Sequence, residues 1–578
     1  MTSSISRRTL LHLSTYLAAG VSLAACSSSP PSLSEEASGQ ASSSSAQTPL
    51  TLTFANAAVA PSLDVGQSGT LETARISAQI LEPLVRANIN TGEPEASLAT
   101  DWDISDDGLT YTFQIREHVQ FHNGESLTPE AIVKNFQRWK KIATNTSSTS
   151  RVEYLQLFSA INSEDEKTSL VKDCSVSGNT VRFTLSRPSQ SFLKALTQPA
   201  FGISAPQTIA KDFSLTPLPT GTGAFKLLSW EQGTATLESF DSYWGDHPAI
   251  RTLVFQSIPD TEKRFVAMMK NEIDGYDLVG LQNYVPLSRA GNLTQPRDPY
   301  AICYININLK HPLLASREMR SAIAHAIDRS ALVKKHFPRG TNVAEDFLPA
   351  LFMMRNEETN AYYTFRKEIT ADRLKKTKYA GEPLEFYYPT GVSLPWAETP
   401  EAIYAAISAD LARAGIFVKP KPIPWEEGYL DIISKPSTTR GLALTGFVGS
   451  YRDPNAFLSK VLAPTSDLIK QSENASAIAP KSLEETEPHT TPSPRQTIES
   501  QEIISYREIL TAIREADQLS DLEKRREAYA QINKLVAQLM PAMPLCYPVS
   551  AVALGKKITY YPLSATAIEN FAETYIRS

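Results

Sequence analysis

The stretch Gly221–Asp277 constrains the fold of this chain most, because its order of turns, strands and one helix is unambiguous. The segments Phe225–Trp230 and Thr234–Phe240 are rich in strand-forming residues and flank a Gln-Gly turn, which predicts a hairpin. A further strand is predicted over Leu253–Ile258. It precedes a helix over Thr261–Lys270, whose first residue is the expected N-cap. The stretch therefore reads as an α/β segment.

The same stretch carries motifs in a fixed order: GTGAFK, a tryptophan, YWG, a strand that ends in IPD, and EIDGYD. A second set lies towards the end of the chain, in EKRREAYAQINKLVAQLMPAMPLCYP. Together these motifs resemble the extracytoplasmic solute-binding proteins of the peptide/nickel class (family 5), which serve ABC importers. The resemblance covers most of residues 50–552, excluding a polar insertion at 466–501.

This resemblance implies an α/β, periplasmic-binding-protein-like fold of the large class, in which two lobes joined by a hinge are supplemented by an extra domain. The base domain is expected to combine residues 50–84, 205–303 and 541–578. Residues 85–204 would form the second domain and residues 304–540 the third. The second and third domains are the lobes that would clasp the ligand.

Two helices of the third domain are predicted from apolar residues at helical spacing. One covers Glu318–Lys335 and the other Asp521–Leu539. Between them, the polar insertion at 466–501 is expected to be a mobile excursion outside the core.

The first 25 residues resemble the export signal of a lipoprotein. Arg7 and Arg8 precede an apolar stretch that is too short to span a bilayer and ends in LAAC at Cys26. Cleavage before Cys26 would free it for acylation, so the chain is expected on the extracytoplasmic face of the cell membrane, held by lipid. The paired arginines resemble a twin-arginine signal, although ordinary export signals also contain them. Residues 26–49, rich in Ser, Ala and Pro, are expected to form a disordered tether.

Charge and cysteine content limit the possible partners. The formal net charge of −6 argues against nucleic acid as a partner. Once Cys26 is lipidated, three cysteines remain, so at most one disulfide can form. Cys303 and Cys546 are the expected pair, because both fall on predicted strands near the inferred domain crossing. The chain is expected to act as a monomer.

Two loops are candidates for ligand binding. In the family, the loop equivalent to Ser68, Gly69 and Thr70 offers backbone groups to a peptide; the alternative is a loop that only caps the following helix. The second candidate is the strand and Gly-Ser-Tyr-Arg-Asp-Pro loop within Leu442–Phe457, with a tryptophan nearby in sequence. Its candidate residues are Trp425, Phe447, Gly449, Ser450, Tyr451, Arg452 and Asp453.

The second loop departs from the peptide-binding pattern. Relatives that bind peptides carry an aspartate that pairs with the ligand's α-ammonium at the position of Ser450. Because a buried ammonium without a carboxylate is unfavourable, either Asp453 takes over this role or the ligand has no such amine. Relatives that bind metal chelates often have a tryptophan in this loop, whereas this chain has Phe447.

The sequence thus predicts the substrate-binding component of an ABC importer, which captures an oligopeptide or related solute by hinge closure and delivers it to membrane permease subunits. A metal chelate such as nickel, or another small solute, is the alternative ligand. A cell-surface hydrolase and an adhesin are alternatives from other classes, but no nucleophile-and-base motif is visible, so no enzyme activity, cofactor or metal site is expected. His118 and His122 are four residues apart, but they fall on a predicted strand and turn, where that spacing does not converge on a metal.

Overall fold

The structure, a computed structural model, describes residues 50–66, 68–145, 154, 169–215, 218–435, 437–462 and 506–577. The predicted signal at 1–25, the lipidation site Cys26, the tether at 26–49 and the insertion at 466–501 lie outside these residues. Within the described ranges, no helix is both long and apolar enough to cross a membrane.

Three sheets hold most of the strands. The first contains β1 (Thr51–Asn56), β8 (Phe225–Glu231), β9 (Thr234–Ser239), β10 (Thr252–Ser257), β11 (Gly275–Asp277), β12 (Leu293–Pro296) and β19 (Ala551–Leu554). The second contains β4 (Ala99–Ile104), β5 (Thr110–Ile115), β6 (Val171–Ser177) and β7 (Thr180–Leu185). The third contains β13 (Ala301–Ile307), β14 (Asn342–Val343), β15 (Leu384–Thr390), β16 (Val418–Pro424), β17 (Arg440–Val448) and β18 (Ala542–Tyr547). Two short pairs remain: β2 (Val85–Ala87) with β3 (Pro94–Ala96), and β20 (Ile558–Tyr560) with β21 (Tyr575–Ile576).

The described α-helices are α1 (Leu71–Ser77), α2 (Pro129–Asn145), α3 (Phe192–Ala195), α4 (Thr261–Met269), α5 (Tyr284–Arg289), α6 (Arg317–Ala326), α7 (Arg329–His336), α8 (Lys367–Leu374), α9 (Pro400–Arg413), α10 (Tyr429–Ser434), α11 (Asn455–Val461), α12 (Tyr506–Gln518) and α13 (Leu522–Leu539). Helix α4 confirms the predicted helix, but its N-cap is Asp260, whose side chain accepts a hydrogen bond from the Lys263 N–H. The N-cap therefore lies one position before Thr261, the residue that the sequence predicted.

The seven-stranded sheet has the order β12-β19-β11-β1-β10-β9-β8 and is mixed. Strand β1 lies parallel to both β10 and β11, and the predicted hairpin is confirmed as the antiparallel pair β8 and β9. The four-stranded sheet is antiparallel in the order β4-β5-β7-β6. The six-stranded sheet has the order β14-β18-β13-β17-β15-β16, with β15 parallel to both neighbours.

Two sequence predictions are wrong in detail. The single helix expected over Glu318–Lys335 is broken into α6 and α7, because Asp328 leaves the helix and its side chain caps α7 by accepting from the Ala331 N–H. The disulfide is not formed either. Cys303 and Cys546 lie opposite each other on β13 and β18, as neighbouring strands, but both are free thiols.

The three-domain division stays a prediction. Strands of the seven-stranded sheet come from the ranges assigned to the base domain, and strands of the four-stranded sheet come from 85–204. Strands β13 and β18 lie at the proposed borders and both belong to the six-stranded sheet. A continuous hydrophobic cluster links the four-stranded sheet, through Phe192, to Phe457 beside the six-stranded sheet. The parts are thus packed against one another.

Candidate functional site

One wall of a cavity is built by the loop before helix α1. Thr70 is the N-cap of α1, and its side chain accepts a hydrogen bond from the Thr73 N–H at 3.3 Å. Ser68 is buried, and its hydroxyl oxygen lies 3.0 Å from that of Thr73. The loop therefore caps the helix and also borders the cavity, and its binding of a peptide through backbone groups stays a prediction.

The opposite wall is formed by strand β17 and the loop that follows it. Gly446 has no room for a side chain, because a Cβ there would lie 2.5 Å from the ring of Trp396. Gly449 is equally confined, since a Cβ would lie 2.5 Å from the rings of Phe457 and Tyr300. The two glycines let aromatic rings approach the strand, and Phe447 extends this aromatic wall by contacting Phe457 with ring centroids 5.5 Å apart.

Seven of the sequence-predicted residues meet at this first cavity, which has a volume of 180 Å³. They are Ser68, Gly69, Thr70, Trp425, Phe447, Gly449 and Ser450. Ser450 also borders a second cavity of 300 Å³, together with Tyr451 and Arg452. The hydroxyl of Ser450 is buried and has no hydrogen-bond partner among the described residues. It is therefore available to a ligand in the wall that the two cavities share.

Asp453 does not fit the role expected of it. Its side chain is fully buried, it borders neither cavity, and both carboxylate oxygens accept hydrogen bonds from Arg525, at 3.0 and 2.9 Å. It also accepts a hydrogen bond from the N–H of Asn455, the first residue of α11, at 3.0 Å. Because its lone pairs are already used, a ligand ammonium would have to displace an arginine to reach it.

Several residues that line the first cavity were not predicted from the sequence. Glu72 and Lys460 are its charged residues in the described chain, and Trp396 adds a third large aromatic ring. Glu72 is 6% exposed, and burial raises the pKa of its carboxyl. Its position two residues after Thr70 was a usable signal, because the loop that brings Thr70 to the wall also brings the first turn of α1.

Two of the sequence motifs meet at Glu82, a residue that borders the second cavity. Glu82 accepts hydrogen bonds from Thr222 of the GTG motif at 2.7 Å, and from Tyr243 and Trp244 of the YWG motif at 2.9 and 2.8 Å. Burial raises the pKa of Glu82, and these donors oppose that effect. Gly221 completes the junction, since a Cβ there would lie 2.1 Å from the Ile80 carbonyl oxygen. The motifs therefore hold the segment after α1 against the seven-stranded sheet.

The EIDGYD motif also has a structural role. Its last residue, Asp277, ends β11 and is fully buried between two guanidinium groups. Arg75 and Arg297 both form ion pairs with it, the latter at 2.5 Å. Although desolvation opposes ionisation, Arg297 and Arg75 hold the pKa of Asp277 below its usual value. Asp277 therefore stays ionised and anchors α1 to the sheet.

Comparison with known proteins identifies a family. The sequence profile of bacterial extracellular solute-binding proteins, family 5 Middle, matches residues 93–467. The chain is 26% identical to the dipeptide-binding protein of Escherichia coli (strain K12) over 413 residues, which is 68% of this chain and 75% of that protein. It is 24% identical to heme-binding protein A of Haemophilus influenzae (strain ATCC 51907 / DSM 11121 / KW20 / Rd) over 577 residues, or 96% of this chain and 97% of that protein.

Solved structures share the architecture. The ABC transporter-associated periplasmic binding protein DppA from Helicobacter pylori, in complex with the peptide STSA, matches with a TM-score of 0.74 at 21% identity, over 92% of this chain and 99% of that one. The dipeptide-binding protein from Pseudoalteromonas sp. SM9913, in complex with Met-Leu, matches with a TM-score of 0.75 at 18% identity, over 91% and 100% of the two chains. The expected periplasmic-binding-protein-like α/β fold is thereby confirmed. With the profile covering more than half of its length, the chain belongs to the bacterial extracellular solute-binding proteins of family 5.

Proposed function

We propose that this chain is the substrate-binding component of an ABC importer and that it captures a short peptide in the first cavity. The observation that carries the proposal is the lining, which combines the carboxyl of Glu72, the ammonium of Lys460 and the rings of Trp396, Trp425 and Phe447. A peptide has the complementary groups: an ammonium, a carboxylate and apolar side chains. The printed names of several relatives, such as the dipeptide-binding protein, agree with this ligand class.

The composition of the cavity suits a short peptide. Its volume is 180 Å³, and its polar groups are few among apolar ones, as is usual for selective pockets. The seven lining residues that the sequence singled out, from Ser68 to Ser450, are proposed to contact the peptide. A metal chelate is the alternative ligand. Within the described residues, no group of three or more His, Cys, Asp or Glu side chains could hold a metal ion directly.

Closure is proposed to bury the peptide. The lobes would be residues 85–204 and 304–540, which move about the base domain formed by 50–84, 205–303 and 541–578. Ligand would exchange in an open form, and membrane permease subunits would recognise the closed form. The chain would act as a monomer on the extracytoplasmic face of the membrane, exported by the signal at 1–25 and held by lipid on Cys26.

The first experiment is native mass spectrometry of the protein purified without its lipid, followed by mild denaturation to release bound solute. Peptides of mixed sequence and shared length are expected. A pool of dipeptides should also raise the melting temperature without being hydrolysed, because a ligand that binds the folded state stabilises it. Release of a chelate would move the assignment to the alternative ligand, and peptide turnover would favour a hydrolase. A protein that comes empty and shifts with neither peptides nor chelates would refute the receptor function.

Anchoring is tested separately. Replacing Cys26 with Ser should move the protein from the membrane fraction to the soluble fraction, because the site of acylation is lost. Retention of the Cys26→Ser variant in the membrane would contradict the lipid anchor and leave the ligand assignment intact.

A further inference from the structure

A peptide bound in the first cavity brings an α-ammonium group out of water. A buried ammonium is strongly unfavourable unless a carboxylate pairs with it. Asp453 is not available, because Arg525 holds both of its oxygens. Ser450, at the position where peptide-binding relatives carry the aspartate, offers only a hydroxyl. A peptide with a free amine therefore needs a carboxylate from another element of the cavity, and the remaining alternative is a ligand without such an amine.

Glu72 has the required placement. It lies in the first turn of α1, lines the cavity and is 6% exposed. No other residue of the described chain donates a hydrogen bond to its carboxyl or forms an ion pair with it. Glu82 is the instructive contrast, since that buried glutamate receives three hydrogen bonds from side chains of Thr222, Tyr243 and Trp244. Glu72 is thus a buried acid in the cavity wall whose carboxyl, within the described chain, accepts a hydrogen bond only from its own backbone N–H.

The charges around Glu72 do not neutralise it. The charged groups that face it are Arg75 on α1, Asp277 on β11 and Arg264 on α4. Arg75 is committed to Asp277, Asn56 and the Ala567 carbonyl. Arg264 donates to the carbonyls of Ile258 and Pro259. Burial accordingly raises the pKa of Glu72, and a cation in the cavity would favour its ionised form.

We infer that Glu72, and not Asp453, is the partner of the peptide's α-ammonium group, an inference that rests on the proposed function. The amine end of the peptide then lies against α1, beneath the loop of Ser68 and Thr70. The specificity that follows is for peptides with a free amino terminus.

The test compares an equimolar pool of dipeptides with the same pool after complete N-acetylation, measured by calorimetry on the wild type and on Glu72→Gln. The wild type is expected to bind the free-amine pool tighter by about 30-fold or more, the usual loss when one partner of a buried charge pair is removed. In Glu72→Gln that preference should fall to below about 3-fold. Glu398→Gln is the matched control, because Glu398 is another partly buried acid with a raised pKa and borders neither of the two cavities.

The outcomes separate the inference from the function. If the wild type binds neither pool, the proposed function fails. If it binds both pools equally, or if Glu72→Gln keeps the preference, the function stands and the role of Glu72 is refuted. Glu398→Gln should keep the wild-type preference, and its loss there would also count against Glu72.

A measurement on the wild type alone covers the case in which Glu72→Gln does not fold. The measurement uses a pH series below about 7, where the peptide amine is already protonated. Pairing with that ammonium favours the ionised form of Glu72, so binding of the free-amine pool should release protons from Glu72 at the acidic end of the series. The acetylated pool should release fewer. Equal release from both pools, read from calorimetry in buffers of different ionisation enthalpy, would overturn the inference.

Discussion

Two buried ion clusters in this protein use the same side-chain chemistry in opposite ways. The paired cluster consists of Arg75, Asp277, Arg297 and Glu569, whose side chains are all at most 1% exposed. The bridging cluster consists of Asp453, Asp517 and Arg525, in which one guanidinium contacts two carboxylates. The first matches two cations with two anions, and the second does not.

The partners differ as well. The paired cluster joins α1, β11 and the chain after β12 to the C-terminal segment, so all of its members belong to the layer of the seven-stranded sheet. The bridging cluster reaches across to the segment after the four-stranded sheet, where Ser189 donates to Asp517 at 2.5 Å and the Ser191 N–H donates at 3.0 Å. If the contact opens, the Ser189 hydroxyl and the Ser191 N–H can form hydrogen bonds with water, whereas a buried arginine that loses its carboxylate partner cannot. We therefore expect the first cluster to hold the fold and the second to hold a contact that can open.

Replacing Asp277 with Asn should have the largest effect. The change leaves Arg75 and Arg297 short of one buried carboxylate, which typically lowers the free energy of unfolding by about 3–5 kcal/mol. Urea unfolding monitored by circular dichroism measures the loss. Asp241→Asn is the control, because Asp241 forms an exposed ion pair with Arg251, and its unfolding midpoint should be unchanged. Equal midpoints for the two variants would refute the importance of the paired cluster.

Replacing Asp517 with Asn should have a smaller and more local effect. The hydrogen bonds from Ser189 and Ser191 to a charged acceptor are weakened, which corresponds to about 1.5–3 kcal/mol, while Arg525 keeps its pair with Asp453. Amide hydrogen exchange at Ser191 should become faster than in the wild type, because its N–H donates to the Asp517 carboxylate. Exchange at Gln190, whose N–H donates to the backbone carbonyl of Asp517, should become faster as well if the weakened contact opens more often. Unchanged protection at these two amides would show that the bridge does not hold this contact closed.

His122 sharpens the comparison, because it makes a neutral contact between the loop after β5 and the GTG motif. Its N–H donates to the Gly221 carbonyl and its ring Nε2 contacts the Gly223 carbonyl, both at 2.8 Å. Burial lowers the pKa of His122 to about 4. Below about pH 6.5 the unfolded chain therefore binds a proton that the folded chain does not, so the free energy of unfolding should fall, by up to about 3 kcal/mol, between pH 6.5 and 4.

The His122→Gln variant tests whether the titration of His122 causes this pH dependence of the free energy of unfolding. Glutamine can still donate to the Gly223 carbonyl but cannot titrate, so the difference in stability between wild type and variant should shrink or reverse as the pH falls through that window. A difference independent of pH would show that His122 does not remain neutral in the folded protein.

Arg452→Ala should have the smallest effect. Arg452 donates to the Thr91 carbonyl at 3.1 Å in an exposed position and borders only the second cavity. The free energy of unfolding should change by no more than about 0.5 kcal/mol, as is usual for surface substitutions. Affinity for the dipeptide pool, measured by calorimetry, should change by less than about 3-fold. A larger loss of affinity would extend the peptide site into the second cavity.

The sequence predicted the local elements well, because their signals lie within a few residues. The hairpin of β8 and β9 follows from strand-forming runs around a Gln-Gly turn. Helix α13 begins just after Asp521, the residue that the sequence placed at the start of the helix and that caps it. Two of the errors were also local: a cap moved by one residue at Asp260, and a helix was broken where Asp328 competes for the backbone. The third, the expected Cys303–Cys546 disulfide, concerned two residues that are far apart in sequence.

The candidate site could be predicted only in part. The loops of Ser68 and Ser450 were found because glycine and small polar residues mark turns that follow strands or precede helices. Trp396 and Lys460 were missed, because nothing in their own neighbourhoods indicates that they face the same cavity. Trp396, Lys460 and the loop of Ser68 lie on three segments that are far apart along the chain, and they converge only when the chain folds.

The sequence by itself determined the family, the α/β architecture and the regions that contribute to the cavity. Only the tertiary structure decided which carboxylate remains available there. Asp453 and Glu72 each lie a short distance in sequence from a candidate loop. Arg525, 72 residues beyond Asp453, pairs with Asp453, whereas no residue of the described chain forms an ion pair with Glu72. Pairing between buried charges depends on distances in space and on desolvation, and neither is encoded in the residues next to an aspartate or a glutamate.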